Sequence, residues 1–369
     1  MRIAFDAKRL YNNFTGLGNH SRTTIDILRE FYPETECLLF TPHIKESAVT
    51  SSYLDRDGCR TIMPHGVVRG GLWRTFFMSS DIRKEKPDIF HGLSNELPTG
   101  LDIPSAVTIH DVAFRTFKDM YHWNDRITYD LKWKHACRWA DMIIAISEST
   151  RKDIISFYDA DPDKVCTVYQ PVNRLFYSDG GEKRPDFLTE DFPYMLYVGS
   201  INSRKNLMGI VKAMELLPSD LRIPLIAIGD GRRYKQEVLE YVSSRNLERS
   251  IILPGQKVDM QELKYLYSHA RLFVYPSFYE GFGLPVVEAM LCRCPVITSN
   301  VSSLPEAAGP HSLTVNPGSI EEISDCMARV LADGELRSGM ADRSHEYAMN
   351  RFHPRKLAGD LMDIYKKMR

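Results

Sequence analysis

Residues 275–297 read YPSFYEGFGLPVVEAMLCRCPVI, and the order of glycine, proline and apolar residues in this stretch sets the reading of the chain. A loop holding Glu280, Gly281 and Gly283 runs into Pro285 and then into an apolar helix carrying Glu288. Proline is favoured at a first helical position because the N–H it lacks would be unpaired there anyway. The free N–H groups of such a helix start make a ready site for a phosphate. Two carboxylates flank that site, and phosphate donors between acids able to grip hydroxyls suggest a nucleotide-sugar ligand. The same residues also fit a plain Gly-Pro turn before a core helix, with two solvated acids, so their surroundings have to decide.

Outward from this stretch, short apolar runs alternate with longer amphipathic ones. In the C-terminal half, Tyr194–Val198, Leu225–Ile228, Ile251–Leu253, Leu272–Tyr275 and Val296–Thr298 read as strands. Helices near 206–217, 232–245, 259–269, 285–292 and 320–333 separate them. In the N-terminal half, Arg2–Asp6, Cys37–Thr41, Ile89–His91, Ser105–Ile109, Met142–Ile146 and Lys164–Val168 read as strands, with helices such as Gly18–Phe31 and Asp125–Ala140 between them. This alternation predicts parallel sheets with helices on both faces. Residues 169–193 break it with Pro171, Gly180, Gly181, Pro185 and Pro193 and read as a linker. The expected fold class is α/β: two Rossmann-like, doubly wound parallel-sheet domains facing a cleft at the strand C-terminal edges, where open α/β sheets bind ligands.

Bulk composition agrees with that plan. A chain of 369 residues favours two domains, and 43% hydrophobic residues suffice for two cores. A net charge of -1 lacks the basic footprint of a nucleic-acid binder. Seven cysteines without zinc-type spacing suggest reduced thiols and a cytoplasmic setting. The pair Cys292 and Cys294 offers too few ligands for a zinc site. The opening MRIAFDAKRL reads as a strand and not as a secretory signal. No apolar run approaches the roughly 20 residues of a membrane span, which leaves peripheral membrane contact open.

Several loops at strand ends carry candidate chemistry. Thr15–Ser21 reads TGLGNHS, a glycine loop at a helix start that can approach a diphosphate but matches a nicotinamide fingerprint poorly. His110–Asp111 follows a strand directly, where an imidazole can donate to a sugar hydroxyl or serve only the structure. Ser200–Leu207 reads SINSRKNL, with Arg204 and Lys205 as adjacent cations. Fixed cations stabilise a leaving diphosphate as its charge grows, although a solvated surface pair has the same sequence. The GDG at 229–231 reads first as a turn, and SNVSSLPE at 299–306 as a helix start whose hydroxyls can touch phosphate. Asp119–Ala140 interleaves Tyr121, Trp123, Tyr129, Trp133 and Trp139 with lysines and arginines. That face, and GGLWRTFF at 70–77, suits either a packed core or anionic lipid.

Taken in order, these motifs resemble the retaining GT-B glycosyltransferases of family four, over nearly the whole chain. TGLGNHS is similar to the family's N-terminal glycine loop, IHDVAF to its IHD-type loop, GSINSRKNL to its RKNL segment and PSFYEGFGLPVVEAM to its most specific motif, with SNVSSLPE following at the usual place. The resemblance implies an N-terminal acceptor-side domain over 1–175, a donor domain over 190–354 and a C-terminal helix, 355–369, that packs back on the first. It implies catalytic roles for His110 at the transferred sugar, Arg204 and Lys205 at the diphosphate and Glu280 at the sugar hydroxyls. Gly16 and Gly18 would lie near the diphosphate, the backbone of Phe282, Gly283 and Leu284 would meet sugar and phosphate, and Glu288 would bind both ribose hydroxyls. Neither a metal nor any other cofactor is implied. One departure stands out: Arg293 and Cys294 replace the family's usual Gly and Thr, at an expected helix end.

The expected activity is therefore transfer of a hexose from a nucleotide-diphosphate donor to a glycan or lipid-linked oligosaccharide in bacterial surface polysaccharide synthesis, in the cytoplasm or at the inner membrane face. The flavour of IHDVAF and TGLGNHS leans toward mannose from a GDP donor by resemblance. Alternatives are a UDP-glucose or UDP-galactose donor, a GT-B nucleotide-sugar epimerase, and an inactive nucleotide-sugar-binding scaffold.

Overall fold

The computed structural model describes residues 1–54, 56–64 and 70–369. The chain divides into two units: Met1–Pro171 with Phe352–Arg369, and Val172–Arg351.

The first unit is built on seven parallel strands: β1 Arg2–Asp6, β2 Glu36–Phe40, β3 Cys59–Ile62, β4 Ile89–Gly92, β5 Ser105–Ile109, β6 Met142–Ala145 and β7 Val165–Thr167. Their order across the sheet is β3-β2-β1-β4-β5-β6-β7. The central strands read as continuous apolar runs such as RIAFD and SAVTI, as expected where helices cover both faces. Ile3 and Phe5 of β1 enter one core cluster, whereas Ala4 enters the other. The helix Pro354–Met368 belongs to this unit: Leu361, Ile364 and Tyr365 join the Ile3–Phe5 cluster. The Tyr365 hydroxyl also meets His91 Nδ1 at 2.6 Å.

The second unit has six parallel strands: β8 Met195–Val198, β9 Leu225–Ile228, β10 Ile251–Ile252, β11 Leu272–Tyr275, β12 Val296–Ser299 and β13 Leu313–Val315, in the order β10-β9-β8-β11-β12-β13. In each sheet the winding reverses once, between β1 and β4 and between β8 and β11. Such reversals open a crevice beyond the strand C-terminal ends, where ligands of doubly wound sheets bind.

Two stretches differ from the sequence reading. The expected linker is partly structured: Arg174–Tyr177 forms a helical turn, and Lys264 donates to the carbonyls of Leu175, Ser178 and Gly180. Those bonds tie the start of that segment to the second unit. β3 and β13 were not expected; both are short edge strands, and β3 is largely half-exposed, so neither has the apolar run that marks a buried strand.

Candidate functional site

In the second unit, the loops after β8 and β11 flank the reversal point. The first leaves β8 at Gly199, where an added Cβ would lie 3.2 Å from Lys205 Cδ and 3.3 Å from Tyr275 Cε2. Glycine thus lets the Lys205 chain lie across the end of the sheet. The Asn202 side chain accepts the Lys205 N–H at 3.2 Å and closes the turn Ser203–Lys205. Asn206 then caps the helix Leu207–Leu216, accepting from the Gly209 N–H at 3.2 Å and donating to the Pro317 carbonyl at 2.7 Å. Arg204 and Lys205 are carried on a turn pinned at both ends.

The second loop is clipped to the first, since the Phe278 N–H donates to the Arg204 carbonyl at 2.8 Å. Two serines hold its other side. Ser302 donates to the Glu280 carbonyl at 2.6 Å and accepts the Glu280 N–H at 3.1 Å. Ser303 reaches the carbonyls of Glu280 and Phe282 at 2.8 and 2.6 Å. The Ser302 and Ser303 hydroxyls of SNVSSLPE, which could also have met a phosphate, hold the Glu280 loop in shape.

Glu280 lies between the two cations. Arg204 Nη1 is 3.2 Å from Oε2 and Lys205 Nζ is 3.3 Å from Oε1. Oε1 also accepts from the Tyr275 and Ser277 hydroxyls, each at 2.9 Å, and Lys205 donates to the same Tyr275 hydroxyl. The three charged side chains are only 13–14% exposed. Burial alone would push the Glu280 carboxyl up, but Lys205, Arg204 and the hydroxyls outweigh it and bring it down to about 2. Two cations against one ionised acid leave the cluster a net positive charge.

Glu288, on the helix Leu284–Leu291, takes the opposite course. It accepts from the Tyr267 hydroxyl at 3.1 Å. Burial raises its carboxyl to about 7, against the pull of Tyr267 and Lys205. This helix starts at Gly283, whose φ is 126° and whose Cβ would come within 2.9 Å of Leu304 Cδ2. Pro285 has no N–H, and the amides of Val286 and Val287 turn back to the Gly283 carbonyl at 3.0 and 3.3 Å. That leaves the amides of Gly283 and Leu284 as the helix-start donors not turned back on this carbonyl. At the other end Arg293 adopts a φ of 55°, the conformation a Gly would favour, and pairs with Asp342 at 2.6 Å. The GDG turn is explained by packing: a Cβ on Gly229 would lie 1.9 Å from the Gly199 carbonyl oxygen.

In the first unit, Gly16 opens the helix Gly16–Phe31 and is exposed. Asn13 Oδ1 accepts the N–H groups of Thr15 and Gly18 at 2.9 and 3.1 Å. A Cβ on Gly18 would lie 1.7 Å from the Asn13 carbonyl oxygen, whereas one on Gly16 meets nothing within 4 Å. Gly18 is required by packing, and Gly16 leaves a helix start open to approach.

His110 follows β5, its backbone N–H donating to Asn95 Oδ1 at 2.8 Å. Its Nε2 donates to the Leu93 carbonyl at 3.0 Å, and its Nδ1 then accepts from the Gln170 amide at 2.8 Å. Burial holds this imidazole down to about 4, so it is neutral at pH 7. Both ring nitrogens are committed inside the unit. His20, which the sequence reading did not single out, stands edge-on to His110 with ring centroids 4.5 Å apart. It is 6% exposed, and neither of its ring nitrogens has a hydrogen-bond partner among the described residues. Its signal in the sequence was its place two residues after Gly18 in TGLGNHS.

The family model described as Glycosyl transferases group 1 matches residues 181–347, and the one described as Glycosyltransferase Family 4 matches residues 20–174. The chain is 35% identical over 270 residues to O-antigen chain mannosyltransferase B of Escherichia coli, a match spanning 69% of this chain and 68% of that protein. It is 34% identical over 203 residues to the serotype-specific mannosyltransferase WbdA of Escherichia coli, covering 53% of this chain but only 25% of that longer protein. Among solved structures, sucrose-phosphate synthase from Thermosynechococcus elongatus matches with a TM-score of 0.77 at 19% identity, over 100% of this chain and 99% of that one.

Proposed function

The chain belongs to the group 1 glycosyltransferases of family 4 and has their GT-B fold, and from that premise we propose that it moves mannose from GDP-mannose to a glycan or lipid-linked acceptor in surface polysaccharide synthesis. The observation that carries the reading is the largely buried, net positive Arg204–Glu280–Lys205 cluster. Support for mannose comes from the names of the first two relatives, both mannosyltransferases.

In this proposal Arg204 and Lys205 hold the diphosphate. Negative charge grows there as the bond from the anomeric carbon to the phosphate oxygen breaks, and preorganised cations in a partly water-excluded site act most strongly on such charge. The amides of Gly283 and Leu284, with the backbone of Phe282, meet the sugar and a phosphate oxygen. Glu280, ionised across the neutral range, accepts from the sugar hydroxyls. Glu288 accepts from the ribose hydroxyls. For the first unit the family resemblance implies diphosphate contact at Gly16 and Gly18 and a sugar-side role for His110. The transfer retains configuration: the acceptor hydroxyl attacks from the face the phosphate leaves, and its proton passes to the departing phosphate oxygen. No metal or other cofactor takes part in the proposed step, and the protein works in the cytoplasm.

Thermal-shift measurements with GDP, UDP and ADP, each free and as the diphosphate sugar, test the reading. A ligand that binds only the folded state raises its stability by mass action. GDP and GDP-mannose are expected to raise the midpoint most. A shift with UDP-glucose and none with GDP would replace the donor, and no shift with any nucleotide would overturn the site.

A further inference from the structure

Tyr275 is the last residue of β11 and is fully buried. Its ring stacks on Phe273 with centroids 5.7 Å apart and tilts against Tyr197 at 5.9 Å. A Cβ on Gly199 would lie 3.3 Å from Tyr275 Cε2 and 3.4 Å from Lys205 Nζ, so the Gly199 backbone passes close to both groups. The ring is held by packing, and its hydroxyl has little freedom to move.

The hydroxyl's bonds follow from donor and acceptor chemistry. A phenol has one proton to give and lone pairs with which to accept. An ionised carboxylate only accepts, and an ammonium only donates. The Tyr275 proton therefore goes to Glu280 Oε1, at 2.9 Å, and the Lys205 ammonium donates to the hydroxyl oxygen. Burial pushes the phenol well above its ordinary range, so it keeps this proton at neutral pH.

Among the described residues, that is the one side-chain hydrogen bond Lys205 Nζ makes. The ammonium stands 3.3 Å from Glu280 Oε1, outside the roughly 2.7–2.9 Å of a charge-assisted bond. It also lies 5.1 Å from the centroid of the Tyr275 ring. Opposite charges this near ordinarily contract to the shorter distance, and here a hydroxyl bonded to both stands against it. Core packing accounts for the ring. It does not account for a hydroxyl shared by both members of an ion pair.

We propose that Tyr275 is a positioning residue. Bonded to both Lys205 and Glu280, its hydroxyl keeps the ammonium from closing on the carboxylate, and the cluster's excess positive charge stays available to a phosphate group. This deepens the reading above and rests on it in taking a diphosphate as the ligand of the cations.

Calorimetry with inorganic pyrophosphate tests this on the full chain, with Lys205→Ala as the control that places the probe at the cluster. Tyr275→Phe keeps the ring and its packing and removes only the hydroxyl. Lys205 and Glu280 are then expected to pair directly and pyrophosphate affinity to fall at least about fivefold, within the range of couplings between touching groups. In a Glu280→Gln background there is no charge to close on, and the same substitution is expected to change affinity by less than about twofold. Unchanged affinity in Tyr275→Phe overturns the proposal, as does a wild type that does not bind pyrophosphate. An equal fall in both backgrounds also overturns it, because lost support for the loop would act in that way.

Proton–nitrogen NMR of lysine-labelled protein is a second readout, valid even where Tyr275→Phe does not fold. The Lys205 ammonium signal, identified by its absence from Lys205→Ala, is expected to persist in Glu280→Gln, because the hydroxyl still accepts from it. No such signal in the wild type, or its loss in Glu280→Gln, overturns the proposal. The GDP-induced thermal shift is read separately. With that shift present and the pyrophosphate results contrary, the donor site stands without the positioning role. The expected pyrophosphate results without any nucleotide shift keep the positioning role and remove the proposed function.

Discussion

Lys205 and Glu280 come from loops that follow different strands, and in the folded second unit their charged ends lie 3.3 Å apart. Each had a separate expected partner, diphosphate for the lysine and sugar hydroxyls for the acid. In the structure they hold each other in position, with Arg204 closing the cluster. The cations are thus oriented before any ligand arrives, the condition under which fixed charge lowers a barrier most.

Replacing Lys205 by Ala is expected to cut kcat/KM by about 100- to 1000-fold, the usual effect of removing one donor from developing charge. Glu280 keeps Arg204, Tyr275 and Ser277, so the fold should survive. Lys205→Arg should not restore the rate, because a planar fork cannot replace a point charge in the space beside Tyr275. Wild-type turnover in Lys205→Ala would remove this residue from the site.

The pH dependence of stability should carry the Glu280 signature. Its carboxyl is held down at about 2 against an ordinary 4.5. A depressed folded-state pKa contributes stability present above 4.5 and lost as pH falls toward 2. The contribution is on the order of 3 kcal/mol. Denaturant unfolding of wild type and Glu280→Gln at pH 6 and pH 3 should show the gap between them closing on acidification. A constant gap would mean that the carboxylate is not held by the cations.

Glu288 should titrate in the opposite sense. With its carboxyl raised to about 7, the stability it contributes is full below 4.5 and lost as pH rises through 7. A ribose that donates both hydroxyls to this group favours the ionised form. Calorimetry should therefore find nucleotide binding tightening between pH 6 and pH 8 in the wild type and flat in Glu288→Gln. A parallel slope in both proteins would count against the ribose role.

His20 and His110 should separate under the same substitution. His110→Phe removes two buried ring hydrogen bonds and leaves Gln170 and Leu93 unpaired, at a cost of about 1–3 kcal/mol. His20→Phe removes no such bond and keeps the edge-on ring contact, so stability should hold or rise slightly. If the free nitrogens of His20 meet ligand, transfer should still fall at least about tenfold in His20→Phe. Full activity in that variant would make His20 a packing residue.

The two glycines of TGLGNHS offer a simpler contrast. Gly18→Ala drives a Cβ against the Asn13 carbonyl and is expected to destabilise by about 1–3 kcal/mol, as overpacking does. Gly16→Ala meets no atom and should leave the melting temperature within about a degree or two, since open exposed positions change stability little. A large loss of stability in Gly16→Ala would contradict the open helix start.

Much of this was legible beforehand because parallel strands covered on both faces leave long apolar runs. Leu272–Tyr275 and Leu225–Ile228 matched the structure to the residue for that reason. Edge strands lack that signature, so β3 and β13 escaped. The RKNL and EGFGLP segments, singled out for the types of their residues, both follow strand ends of the second sheet. The SNVSSLPE segment starts a helix, one of its two readings, but the partners of its serines stayed open because a hydroxyl's partner depends on where its chain folds back. His20 escaped for a related reason: its place in TGLGNHS marked the loop, but not that its ring would meet His110 from another part of the unit.

By itself the sequence determined the alternation of strand and helix, the glycines and prolines at strand ends, and the motif order that identifies the family. These are local properties, encoded in periodicity and backbone preference within a few residues. Only the tertiary structure decided which charges neutralise which. It joined Glu280 to Lys205, left Glu288 half-buried with no cation in hydrogen-bond contact among the described residues, engaged both nitrogens of His110 and left one apolar side of Trp123–Trp139 bare. Burial and pairing depend on residues tens of positions apart meeting in space, and no local pattern records that meeting.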